Sequence, residues 1–130
     1  MTPEQARDVI AAAVQAAAVG IPTFYENADD VPVDSVGDFF LRVGFNFDIA
    51  RQASIEKNPI TRYLGEISLT HFVKSGQGTK ALLARVGTLN DALEYRSLSG
   101  LQTAASSPSR KQSLDGWYSQ EWVVPFWFHK

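Results

Sequence analysis

The chain has 130 residues, a formal net charge of −2, 45% hydrophobic residues and no cysteine. Its length suggests one domain, residues 1–130, with room for one core. The charge leaves no basic footprint of a sequence-reading DNA binder, and the lack of cysteine excludes disulfides, zinc–thiolate centres and cysteine nucleophiles.

The opening Thr2-Pro3-Glu4-Gln5 reads as a helix start. Thr2 is the N-cap, Pro3 sits in the first turn and Gln5 is the capping-box partner. Val9, Ile10, Ala13, Val14 and Ala17 make a small-residued stripe suited to close packing on a sheet. Gly20 and Pro22 end the helix. Glu4, Arg7, Asp8 and Gln15 rule this segment out as a signal-peptide core. No apolar run approaches the roughly 20 residues that span a bilayer. We therefore expect a soluble, unsecreted protein without membrane contact.

Thr23 to Glu26 predicts a short strand, and Asn27 to Asp38 a loop rich in Asp and Pro. Two long strands follow. From Asp38 to Ala53, Phe39, Leu41, Val43, Phe45, Phe47 and Ile49 alternate with Arg42, Gly44, Asn46 and Asp48. From Thr61 to Val73, Tyr63, Ile67, Leu69 and Val73 alternate with Arg62, Glu66, Ser68 and Thr70. With a polar turn at Asn58-Pro59 they form an antiparallel hairpin whose tip, Arg51 to Ile60, stands clear of the core. Ser75 to Thr79 leads into a second helix with Leu82, Val86, Leu89 and Leu93 on one face. Leu98 to Ala105 predicts a strand, and the Ser-rich Ser106 to Ser113 a mobile loop.

The final segment carries all three tryptophans. Tyr118, Trp122, Val124, Phe126 and Phe128 share one strand face, and Trp127 makes the end apolar on the other. A strand from Trp117 to Phe128 spans roughly 40 Å, against a radius of gyration of about 14 Å for a domain of this size. It is either a central core strand or one that seeks a partner. The order α-β-β-β-α-β-β predicts an α+β fold: a mainly antiparallel sheet with two helices packed on one face.

The chemistry-bearing residues do not converge. His71 falls on the core-facing side of a strand, and His129 is next to last. No HExxH pair exists, and Asp29, Asp30, Asp34 and Asp38 lack EF-hand spacing. In the glycine loop Lys80 follows Thr79, the reverse of a phosphate loop. Glu66 and Glu121 have nothing to define them as an acid/base pair. We expect no enzyme, cofactor or metal.

The opening Thr2-Pro3-Glu4-Gln5-Ala6-Arg7, the long alternating strands, Gly116-Trp117-Tyr118 and the Val124-Pro125-Phe126 ending together resemble the phage tail terminator-like minor tail proteins, over nearly the whole chain. These are related in fold to the phage lambda tail terminator. The resemblance implies a homo-oligomeric ring, a hexamer, that caps the tail tube. It halts tube polymerisation and offers a face to the head–tail connector, with DNA passing only through the lumen. It implies host cytoplasm during assembly and the head-proximal tail end in the virion.

Three candidate surfaces follow. Trp122, Val124, Phe126, Trp127 and Phe128 are candidate protomer contacts. Arg51, Gln52, Glu56, Lys57 and Asn58 at the hairpin tip are candidate contacts with the tube protein or a neighbouring protomer. Arg110 and Lys111 are a candidate lumen loop. The alternatives are another neck or head-completion protein (a stopper or adaptor), a small enzyme using His71, and a monomeric binding module.

Overall fold

A computed structural model describes residues 1–26 and 36–130. Most of the loop expected at Asn27 to Asp38 lies outside these. The elements are α1 (Pro3–Ala17), β1 (Thr23–Tyr25), β2 (Phe39–Gln52), β3 (Thr61–Lys74), α2 (Lys80–Leu93), β4 (Ser97–Leu98), β5 (Leu101–Thr103), β6 (Ser107–Leu114) and β7 (Trp117–His129). The fold is α+β. Its sheet runs β1-β2-β3-β7-β5-β4, with β6 also on β7. Every pair is antiparallel except β1 with β2.

The capping box at α1 is formed. Gln5 N donates to Thr2 Oγ1 at 3.2 Å, and Thr2 N donates to Gln5 Oε1 at 2.8 Å. Ala6, Ile10 and Val14 are its fully buried face. On α2 the predicted Leu82, Val86, Leu89 and Leu93 are all buried. These helices cover one face of the sheet. Beneath them lie Leu41 and Val43 of β2, Ile67 and Leu69 of β3, and Val124, Phe126 and Phe128 of β7. Alternation along each strand puts these side chains on the same side.

Among the described residues no helix lies on the opposite face. There Phe40, 5% exposed, stacks on Phe72 at 4.3 Å. Trp117 and Phe24 meet it edge-on at 5.0 and 6.0 Å. This cluster fastens β1, β2, β3 and β7 at the end where β2 begins.

Two expectations are corrected. Leu98 to Ala105 is two short strands, because Ser99 and Gly100 take positive φ and turn the chain back on itself. Ser106 to Ser113 is no loop. β6 occupies Ser107–Leu114 and pairs with β7 from Trp117 to Val123, with an irregularity between Pro108 and Lys111. Pro, Lys and a bulge mark a guarded edge strand, and they also read as a loop. Glu94 anchors the start of this strand: its Oε2 accepts from Ser106 N and Oγ, both at 2.8 Å.

Candidate functional site

The last strand is interior. β7 lies between β3 on one side and β5 and β6 on the other. Val124, Phe126 and Phe128 are at most 1% exposed, so they are core and not protomer contacts. Tyr63 stacks on Phe128 at 5.1 Å, and Phe47 meets Phe126 edge-on at 5.6 Å. Trp122 packs against Val73, Leu82 and Val86 under α2, with its Nε1 buried and unpartnered among the described residues. Trp127 alone of the five turns to the helix-free face, where Leu64 and Gln102 flank it; it is half-buried.

The hairpin tip does project. From Asp48 to Gln52 every residue of β2 is exposed, as are Ile55 through Ile60. Apolar side chains stand in solvent here: Phe47, Ile49, Ile55 and Ile60, with Ile55 98% exposed. The tip is nonetheless ordered by its own hydrogen bonds. Ile60 N donates to Ser54 Oγ at 2.9 Å, Gln52 Nε2 to the Ser54 carbonyl at 2.6 Å, and Ala53 N to the Ile60 carbonyl at 2.6 Å.

A bulge between Phe47 and Ile49 governs what this arm displays. Before it, Phe47 pairs with Gly65; after it, Ile49 pairs with Leu64. One residue more in β2 than in β3 flips the side-chain alternation. Ile49, predicted on the core face with Phe47, therefore moves to the helix-free face, in one row with Leu64 and Trp127. The next row is Arg51, Arg62 and His129. Arg62 Nε donates to His129 Nε2 at 3.1 Å. Neither arginine has an ion pair among the described residues. Like charges directly opposite are unfavourable by a fraction of a kcal/mol, so the row is suited to an anionic neighbour.

Arg51 is thus joined by Arg62 and His129, which sequence reading did not group with it. The register across a bulge has no signature in the alternation. Glu56, Lys57 and Asn58 lie exposed beyond the row. Arg110 and Lys111 are exposed on β6 and do not join it. Lys111 is opposite Gln120, nine residues along β7 from His129, or about 30 Å.

His71 is packed under α2, 2% exposed, with Nε2 unpartnered among the described residues. Burial, and then the nearby Arg85 cation, lower its pKa to about 4. Burial also lowers the pKa of Arg85, whose guanidinium lies 3.6 Å from the Phe39 ring centroid. Among the described residues no group of three His, Asp or Glu side chains is placed to hold a metal, and no helix is long and apolar enough to cross a membrane.

No family model and no curated protein matches the chain. Solved structures do. One aligns with a TM-score of 0.63, covering 95% of this chain and 95% of its own, at 16% identity. Its name describes no function, and at that identity the likeness shows the fold alone.

Proposed function

We propose that this protein is a structural component of a phage tail: protomers form a ring, a hexamer, that caps the tail tube, ends its polymerisation and presents a face to the head–tail connector. The observation that carries this reading is the β2–β3 arm. Its tip is exposed, is held by its own hydrogen bonds, and displays Ile49, Ile55 and Ile60 to solvent. Apolar surface arranged on an ordered projection is characteristic of a contact with another protein. The resemblance at Thr2 to Arg7 and in β7 supplies the identity of that assembly. Both stretches are structural: one caps α1, the other threads the core. On this reading the chain acts by shape, with no catalytic step, cofactor or metal. Its partners are further copies of itself, the tube protein and the neck; DNA only passes through. It assembles in the host cytoplasm and ends at the head-proximal end of the tail.

The test is tube length. Purified protein added to polymerising tail tubes should stop growth and leave a ring at one end, visible by negative stain. Tubes that grow on unchanged would overturn the reading, and a ring bound to the head connector but never to tubes would assign a stopper or adaptor instead.

A further inference from the structure

The exposed arm has a counterpart at the other end of the molecule. Between the C-terminal end of α1 and the outer side of α2 lies a groove of about 320 Å³, lined by Ala17, Val19, Ile21, Phe39, Ala84 and Arg85. Its walls are apolar apart from Arg85 and Thr88. The hydroxyl of Thr88 in the groove already donates to the Ala84 carbonyl at 3.1 Å. Val19 on the rim is 83% exposed, and Leu83 on the same helix as Ala84 is 49% exposed. The Arg85 guanidinium has no ion pair among the described residues. Ile55 is followed directly by Glu56, which is exposed and equally without an ion pair there. A branched apolar side chain with a carboxylate beside it matches an apolar groove with a guanidinium in its wall.

The two halves cannot meet within one molecule. Phe39 in the groove and Gln52 below the tip are the two ends of β2, about 44 Å apart at some 3.4 Å per residue. The sheet between them holds both ends fixed. We propose that the arm of one copy seats Ile55 in the α1/α2 groove of the next, with Glu56 facing Arg85. The occupant is a second copy of this chain, because the same sequence carries both knob and socket at opposite ends. Such a front-to-back contact leaves one arm and one groove free at each step, so it repeats until it closes into a ring or continues as a filament. The inference rests on the ring reading above and names the contact that would build it.

The chain has no cysteine, which makes cross-linking clean. Ile55→Cys and Val19→Cys replace exposed side chains, so neither burdens the fold. Seated as proposed, the two cysteines come within disulfide reach, below about 7 Å between Cα atoms. Oxidising the full-length double variant, free and on capped tail tubes, should give a ladder of covalent multimers on a non-reducing gel. Each single variant should stay monomeric. Equal dimer formation by Ile55→Cys alone would overturn the proposal, since it reports arm-to-arm contact. An unlinked double variant on tubes that it caps normally would also overturn it, while leaving the terminator reading standing. A ladder from a protein that never caps tubes would keep the contact and remove the terminator reading.

Discussion

The two halves of the β2–β3 hairpin share strands and hydrogen-bonding pattern, and they differ in almost everything else. In the inner half, Leu41, Val43, Ile67 and Leu69 are fully buried beneath the helices, and Phe40 and Phe72 stack on the other face. In the outer half, Phe47, Ile49, Ile55 and Ile60 keep apolar surface in water. The inner half alternates strictly and lies under the helices, whereas the outer half is interrupted by polar residues from Asp48 to Ser54, so its isolated apolar side chains stay in solvent. The bulge after Phe47 marks the boundary and turns the outer side chains onto a new face.

The most disruptive way to break this division is at Gly65, on the boundary itself. A Cβ there would meet the backbone carbonyl of Asn46 and lie 2.7 Å from the Phe126 ring. The first obstacle is main chain and cannot swing away. Gly65→Ala should lower unfolding free energy by about 3 kcal/mol, at the upper end of overpacking costs, in a urea titration. An unchanged midpoint would show that the boundary tolerates a side chain.

The inner half can be loosened by acid at His71. His71 is held neutral in the folded protein, with a pKa of about 4 against an ordinary 6.5. As pH falls from 6.5 towards 4 the unfolded chain takes up a proton that the folded chain refuses. Stability contributed by this site is therefore full above 6.5, declines through that window and levels off below 4, by about 3 kcal/mol in all. His71→Leu should flatten this limb of the stability–pH curve. A variant with the same acid slope as the parent would assign the slope to other groups.

How much of this division the sequence discloses follows from the same physics. Alternation identifies β2 and β3 to within a residue or two of each end, and the spacing of Leu82, Val86, Leu89 and Leu93 identifies the buried face of α2. Both are periodic and local. The position of β7 between two neighbours is neither, so an aromatic strand that could equally seek a partner has its even side chains in the core. β6 is illegible for a different reason: Pro108, Arg110 and Lys111 protect an edge with the residues that also make loops. The row of Arg51, Arg62 and His129 depends on a one-residue bulge and on pairing between segments far apart in the chain, which composition does not encode.

Two exposed apolar residues of the arm, Phe47 and Ile55, differ in what they touch. Phe47 is 42% exposed, yet its ring meets Phe126 and Phe128 edge-on at 5.6 and 6.4 Å. It packs on the buried Phe126 and Phe128 from the edge of the core. Ile55 is 98% exposed and belongs to no core cluster. Phe47→Ala should therefore cost about 2 kcal/mol of stability, less than a fully buried phenylalanine because part of the ring is already in water. Ile55→Ser should change stability by under about 0.5 kcal/mol while abolishing the capping of tail tubes. Urea midpoints and tube-length distributions on the same two variants separate the roles. If Ile55→Ser loses stability as Phe47→Ala does, the tip is part of the folded core and the arm is not a free contact surface. If it caps tubes as well as the parent does, the exposed isoleucine has no part in assembly, and the Arg51–Arg62–His129 row becomes the portion of the arm to alter next.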